Sequence, residues 1–405
     1  MTNRARSGRT PSVSGRAQRF RGCGMTEGME LRQAMAPFSS CTDVRPEVAE
    51  FEAYEPGLSM EEIGLRYGLD QVIKLASNEN PLGVPPSARE AMKAAICQAH
   101  RYPQGGNPKL VQALASRYRV GPERIFVGNG SDELIDLLFR VRAVPGVHNA
   151  VAFSPCFGLY VTQAKMAGVE LRRAPLGKDF EFDFDALLNL TDENTTLAFV
   201  TSPDNPSGRV ARPERLKAFA RALPPACLLV VDEAYMEFAD EGQSLLAELD
   251  SLPNVAIMRT FSKIYGLAGM RIGYGILPAI LTDYLWRVRL PFSLNILAEE
   301  AAVAALGDEA FFLDSLRTVR EGRALISREL KEMGCSVIPS QSNFIMFSPP
   351  AGRIEAKALH ARLLERGMII RSLGSYRLPE WLRVSVGLER ENRLFLDLCR
   401  EFIGA

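Results

Sequence analysis

From residue 124 to residue 277 the chain repeats one grammar: a short apolar run, a turn, then a helical stretch. "RIFVGNGSDELIDLLFRV" is strand, glycine-rich turn and helix, and "AVAFSPCFGLYVTQAKMAG" repeats the pattern. "TTLAFVTSPDNPSG" carries a strand into a polar turn, "PERLKAFARAL" is helical, and "CLLVVDEAY" is again a strand. Short strands alternating with helices of about a dozen residues build βαβ units, and the crossover helices make the strands parallel. "MRIGYGIL" follows "NVAIMRTFSK" with no helix between them, which predicts one antiparallel member. The expected fold class is therefore α/β, a large domain with a mostly parallel sheet flanked by helices.

From Leu297 the character changes. "AEEAAVAALGDEAFFLDSLRTVREGRALISRELKEMG" reads as long helices, followed by strands in "CSVIPSQSNFIMF", "MIIRS" and "WLRVSVG" and helices in "AKALHARLLERG" and "ERENRLFLDLCREFI". That is a smaller α+β domain. Upstream, "MEEIGLRYGL" is a short helix ended by glycine, "PPSAREAMKAAICQA" a helix opened by proline, and "PKLVQALASRYRV" a helix closed by Gly121. At 405 residues the chain is long for one core. The expected division is an extension over 1–42, an arm and part of the small domain over 43–84, a large domain over 85–296 and a small domain over 297–405. The first 24 residues hold six arginines and no acid, which fits a transit-like or disordered tail, with Met25 or Met35 as alternative starts.

Composition narrows the function classes. Formal net charge is zero, so no basic field points to nucleic acid. Three scattered histidines argue against a zinc site or a histidine triad, and no metal is expected. Seven cysteines without a CxxC pair read as free thiols of a reducing, cytoplasmic compartment. No run of 18 apolar residues suggests a membrane span.

In an open α/β sheet the chemistry lies beyond the carboxyl ends of the parallel strands. Gly128, Gly130 and Ser131 stand there, in a turn whose following helix would aim free N–H groups and a positive dipole end at an anion. Asn205 follows the next strand, Asp232 and Tyr235 end "LLVVDEAY", and Ser262 and Lys263 end "AIMRTFSK", with Arg271 eight residues on. Taken singly, each has a bland reading. The glycine turn lacks the third glycine of a dinucleotide fingerprint. Asp232 can cap a helix, Asn205 can be a turn residue, Lys263 a surface lysine and Arg271 the partner of any acid. Yet nine lysines stand against 39 arginines, and one of the nine falls in this small-residue stretch. Together the set describes a site for pyridoxal phosphate: a lysine to condense with an aldehyde, an acid for the pyridine nitrogen, amides, serine and arginine for a phosphate, asparagine and tyrosine for the phenolic oxygen. Desolvation beside an arginine would lower the lysine pKa. Gly266 and Gly269 would tighten the loop, and Gly273 and Gly275 would let the returning strand pass close to its neighbours.

"SNENPLG", "RYPQGG", "GNGSDE", "SPDNPSG", "VVDEAY", "RTFSKIYGLAGMRIGY" and "WLRVSVG" occur in that order. With these motifs the chain resembles the fold-type I, pyridoxal-phosphate-dependent aminotransferases, most of all the histidinol-phosphate aminotransferase family, over Val48 to Phe402. The resemblance implies roles. Lys263 would be the catalytic lysine, bonding the cofactor and moving the substrate α-proton. Asp232 would pair with the pyridinium nitrogen, with Asn205 and Tyr235 at the phenolate oxygen. Ser262, Arg271 and the amides of Ser131 and Asp132 would hold the phosphate, and Phe157 would stack on the ring. Tyr102 would reach the phosphate of a neighbouring subunit, which implies a homodimer. Arg383 would meet the substrate carboxylate, Arg371 and Tyr54 the distal anion, and Asn80 of "SNENPLG" also falls to substrate binding. Two positions depart from the family pattern: Asp204 stands where an asparagine is usual and Ser207 where a threonine is, both flanking Asn205.

The implied reaction transfers the amine of L-histidinol phosphate to 2-oxoglutarate, giving imidazole acetol phosphate and L-glutamate. An aromatic amino acid aminotransferase and a phospho-amino-acid decarboxylase share the scaffold and remain alternatives. A cofactor-sensing regulator would need a DNA-binding module, for which the residues ahead of the motifs are too few and unpatterned.

Overall fold

The computed structural model describes residues 40–49, 51, 59–240 and 242–404. The tail expected over the first 24 residues, and Tyr54, lie outside them. The chain divides into a short unit ending at Phe51, with a single helical turn over Pro46–Ala49, and a large compact unit that holds everything described below.

The strands in chain order are β1 (Ile73–Lys74), β2 (Ile125–Asn129), β3 (Asn149–Ser154), β4 (Glu170–Pro175), β5 (Thr195–Thr201), β6 (Leu228–Asp232) and β7 (Val255–Thr260), then β8 (Ile272–Ile276), β9 (Ser336–Val337), β10 (Phe344–Ser348), β11 (Met368–Ile369), β12 (Arg371–Ser372) and β13 (Leu382–Ser385). Seven of them form one sheet in the order β2-β8-β7-β6-β5-β3-β4. β8 runs antiparallel to both β2 and β7, and the other neighbouring pairs are parallel. It is the antiparallel member that the missing crossover helix implied.

β5, β6, β7 and β8 are buried along their whole length, as expected for strands covered on both faces. Successive side chains point to opposite faces. Leu229 and Val231 of β6 enter one core while Leu228 and Val230 enter the other, and Val255 and Ile257 of β7 part in the same way from Ala256 and Met258. β4 escapes the sequence reading because it is the sheet edge, with a mostly exposed, arginine-bearing pattern. One helix end also differs. The helix Pro108–Tyr118 is closed by Arg119 in the left-handed region, two residues before Gly121.

A second sheet, β12-β13-β10-β9, is antiparallel and packs its apolar residues against the helices Glu309–Glu332, Ala356–Glu365 and Glu389–Ile403. The helix Ile296–Leu306, by contrast, puts Ala298, Ala301, Ala302 and Ala305 into the core of the seven-stranded sheet. β1 pairs with β11, and Ser385 N donates to Leu75 O at 2.8 Å, so the chain entering "SNENPLG" is stitched to the smaller sheet.

Candidate active site

The carboxyl ends of the parallel strands deliver the site. β2 ends at Asn129, and the helix Gly130–Arg142 starts at once, without a side-chain cap. A helix start leaves its first N–H groups without intrahelical acceptors, so Ser131 and Asp132 offer amides to an anion. The close approach of β8 is what holds this turn. A Cβ on Gly273 would lie 2.1 Å from Ser131 N, and Gly130 N donates to Arg271 O at 2.9 Å. Arg271 itself is left-handed at φ 55° and carries its guanidinium over the helix start, where Nη2 donates to Asp132 Oδ2 at 2.9 Å. Of the other loop glycines, Gly266 lies at φ 62° with a Cβ position 2.0 Å from Gly83 O. Gly269 faces open space at an ordinary φ, so the expectation that it tightens the loop is corrected.

Lys263 follows β7 in a bend, with Ser262 buried beside it. Its Nζ donates to Ser77 O at 3.3 Å and lies 5.6 Å from the centre of the Tyr235 ring. Burial first, then the nearby Arg383 charge, pushes this ammonium down to about 8. The lowering agrees with the sequence expectation, although Arg383 outranks Arg271 as its charged cause. A measurable consequence follows in the cofactor-free protein. Acylation of Lys263, followed by peptide mass spectrometry, is expected to reach half its maximal rate near pH 8, because the neutral amine is the nucleophile. A profile that tracks an ordinary lysine would overturn this electrostatic reading.

Asp232 closes β6 and is buried. Tyr160 Oη donates to its Oδ2 at 2.7 Å, and Ala234 N to its Oδ1 at 3.1 Å. Burial still pushes the carboxyl up to about 6. A buried carboxylate that accepts from two neutral donors among the described residues is a fitting counter-group for a cationic ring nitrogen. Tyr160 was not singled out in the sequence. It stands three residues after Phe157, meets that ring edge-on at 5.7 Å, and stacks on Phe199. Tyr160→Phe keeps the stacking and removes one donor that favours the ionised acid. The expected outcome is a roughly tenfold lower kcat with the acid limb of the pH–rate profile moved upward. An unmoved limb would mean that the bond does not tune Asp232.

Tyr235 is buried, and its Oη accepts from Asn78 Nδ2 at 3.0 Å. Asn78 is the second residue that sequence reasoning passed over. It adopts φ 56°, a conformation asparagine tolerates better than most residues, and its backbone and side chain both bond Ser385. An asparagine in a polar "SNEN" loop was the available signal. Asn205 is buried and accepts from Arg383 Nη1. Its neighbour Asp204 accepts from Ser207 N at 3.0 Å and Ser207 Oγ at 2.5 Å, so the two departures from the family pattern form one internal pair. Burial pushes Asp204 to about 6.

Arg383 is 6 % exposed. Its Nη2 donates to Ala76 O at 2.9 Å, and Nε is buried without a partner among the described residues. Across the antiparallel pair β12–β13 its register partner is Arg371, so two cations project from one face of a short hairpin. Asn80 sits differently from the other substrate candidates. Its amide donates to Ile264 O at 2.8 Å and Ser315 Oγ at 3.0 Å, and its Oδ1 accepts from Leu82 N, which makes it a brace behind the lysine bend. Tyr102 is 80 % exposed and stacks on Phe292 at 4.8 Å, turned to solvent.

The arrangement thus offers a lysine of lowered pKa, a buried acid, a helix start with an overlying arginine, and a register pair of arginines, one of which has a buried Nε without a partner among the described residues. The family model for aminotransferase class I and II matches residues 70–396. The chain belongs to that family. Among class I and II aminotransferases it is similar to the histidinol-phosphate aminotransferase of Nitratidesulfovibrio vulgaris strain Hildenborough, at 57 % identity over 89 % of this chain and 96 % of that one. It is 51 % identical to the histidinol-phosphate aminotransferase of Oleidesulfovibrio alaskensis over 94 % of this chain and 100 % of the relative. Among solved structures, the histidinol-phosphate aminotransferase of Sinorhizobium meliloti in complex with pyridoxal-5'-phosphate superposes with a TM-score of 0.82 at 29 % identity, covering 90 % of this chain and 99 % of that one. The L-threonine-O-3-phosphate decarboxylase of Porphyromonas gingivalis shares the fold at a TM-score of 0.72 and 22 % identity, over 82 % of this chain and all of that one.

Proposed function

We propose that this aminotransferase moves the amine of L-histidinol phosphate to 2-oxoglutarate, yielding imidazole acetol phosphate and L-glutamate in histidine biosynthesis, with pyridoxal phosphate as cofactor. The observation that carries the reading is the register pairing of Arg371 with Arg383, the latter buried with a free Nε, beside a lysine of lowered pKa. Both substrates are anions, one a phosphate monoester and the other a dicarboxylate. A forked pair of guanidinium groups suits each in turn. An aromatic donor carries no distal anion for the second cation to meet. The decarboxylase shares the fold alone, while relatives bearing the histidinol-phosphate name match at more than half identity.

The residues present fit the cofactor. Asp232 would hold the ring nitrogen, Asn205 and Tyr235 the phenolic oxygen, and Phe157 a ring face. Ser262, Arg271 and the amides of Ser131 and Asp132 would hold the phosphate. When bound, pyridoxal phosphate supplies an aldehyde for amine exchange and a ring that accepts electron density from the substrate α-carbon. Lys263 would serve twice there, as the amine that holds the aldehyde and as the base that takes the substrate α-proton. Its lowered pKa leaves a sizeable neutral fraction near neutral pH, which both tasks need. Arg383 and Arg371 orient the substrate and exclude water from its anionic end.

This reading keeps an N-terminal arm, a large domain and a small domain, with the helix Ile296–Leu306 counted in the large one because its alanines enter the core of the seven-stranded sheet. Among the described residues no helix is long and apolar enough to cross a membrane. We place the enzyme in the cytoplasm, where the six described cysteines, all unpaired, would stay reduced. The exposed Tyr102–Phe292 stack supports a homodimer in which Tyr102 reaches the partner's phosphate site.

The test is a titration of the cofactor-loaded enzyme with histidinol phosphate, phenylalanine and phosphothreonine. Histidinol phosphate is expected to convert the cofactor absorbance to the amine form at the lowest concentration. Conversion by phenylalanine at equal concentration, or carbon dioxide release from phosphothreonine, would replace this reading.

A further inference from the structure

Two consecutive non-glycine residues, Asp179 at φ 53° and Phe180 at φ 61°, lie in the left-handed region. Such a pair is strained and persists only where its surroundings hold it. The turn is closed by Gly177 N donating to Glu181 O at 2.8 Å. Arg209 clamps it, with Nε donating to Asp179 O at 3.0 Å and Nη1 paired with Glu181 at 3.1 Å. Arg209 belongs to the loop that carries Asn205, and its carbonyl accepts from Asp204 N at 2.7 Å.

The strained turn aims the Phe180 ring. It meets Trp381 edge-on, with centroids 5.5 Å apart and planes at 89°, and joins an apolar cluster around Ile338, Met346 and Leu373. Trp381 lies two residues before Arg383, and its backbone bonds Leu373 and Leu378, closing the loop between β12 and β13. That hairpin needs support from outside. β12 is two residues long, and its register sets Arg371 directly opposite Arg383, so like charges repel across it.

We propose that Phe180 is a positioning residue for substrate: from the large-sheet side it braces the hairpin that presents Arg371 and Arg383. This rests on reading those arginines as the substrate-anion contacts. The Phe180 ring meets Trp381 and the apolar cluster beneath the hairpin, so its effect is expected to fall on anion binding. A hairpin freed to shift by even an ångström would lose the paired geometry that a phosphate or carboxylate requires.

Phe180→Ala is expected to raise KM for histidinol phosphate and for 2-oxoglutarate about tenfold, with kcat changed less than about twofold and cofactor absorbance retained. Phe180→Tyr, which keeps the ring, should restore both KM values. The chain has two tryptophans, so Trp286→Phe leaves Trp381 as sole reporter. In that background Phe180→Ala should red-shift Trp381 emission and weaken the affinity for inorganic phosphate read from it. An unchanged KM with shifted emission would overturn the proposal, as would loss of cofactor and kcat together with KM. If the parent enzyme turned over neither substrate, the reading of function would fail, and the phosphate affinity would decide the brace by itself: weakened by Phe180→Ala it stands, unchanged it falls.

Discussion

Lys263→Ala is expected to lower turnover by at least about 10⁴-fold while the protein stays folded and still takes up the cofactor. The size follows from the two tasks the amine performs. Among the described residues its direct contacts are the Ser77 carbonyl and the Tyr235 ring, and neither is a base near neutral pH. Tyr235 is itself held neutral, since burial raises its phenol. Folding should survive because Lys263 is only partly buried and donates a single hydrogen bond. The phosphate contacts expected at Ser262, Arg271 and the helix start remain, so cofactor retention should fall far less than rate. The measurement is single-turnover kinetics with histidinol phosphate, beside a cofactor-binding titration. A variant that kept a tenth of the parent rate would remove Lys263 from the mechanism. Added methylamine should restore part of the activity, because it returns a small free base to the space the side chain held.

The second large effect lies at Asp232. Asp232→Asn keeps the side-chain volume and removes the charge that a cationic ring nitrogen needs. A fall in kcat of at least about 100-fold is expected. The cofactor-free protein should respond in the opposite direction. Burial raises the Asp232 carboxyl from 3.8 to about 6, so between those values the native chain holds a proton that the unfolded chain has released. Stability contributed by this group is present at the acid end and is lost as pH rises through about 6. Near pH 7 the ionised acid therefore costs the empty protein on the order of 3 kcal/mol, and Asp232→Asn removes that cost. The apo variant should melt a few degrees higher than the apo parent, on the order of 2 °C or more, with the difference fading toward acid pH. Cofactor binding should reverse the order, since only the parent gains an ion pair. Equal melting temperatures for the two apo proteins at pH 7 would show that the buried carboxylate carries no such burden.

Sites of this kind are legible in sequence to the extent that one residue performs one task at the end of one strand. Asp232, Lys263 and the Gly130 turn could be read because an apolar run stops and a chemically capable residue follows. Tyr160 could not, and Asn78 offered only its place in a polar loop, because their partners Asp232 and Tyr235 lie far along the chain and on different elements. Asn80 stands in a motif that suggested substrate, and the fold gives its amide partners in Ile264 O and Ser315 Oγ, remote positions that the motif alone does not name. β4 was missed because an edge strand covered on one side has no need of a continuous apolar run.

What the amino-acid sequence determined alone was local: the alternation that makes a parallel sheet, the absent crossover that turns β8 antiparallel, and the residue types awaiting a phosphate, an aldehyde and a pyridine nitrogen. These follow from side-chain period, turn chemistry and functional groups, which neighbours in the chain specify. Only the tertiary structure decided that Arg371 faces Arg383, that Tyr160 holds Asp232, and that a strained Phe180 reaches Trp381. Those are contacts between segments remote in sequence, and their geometry exists only once both sheets have packed.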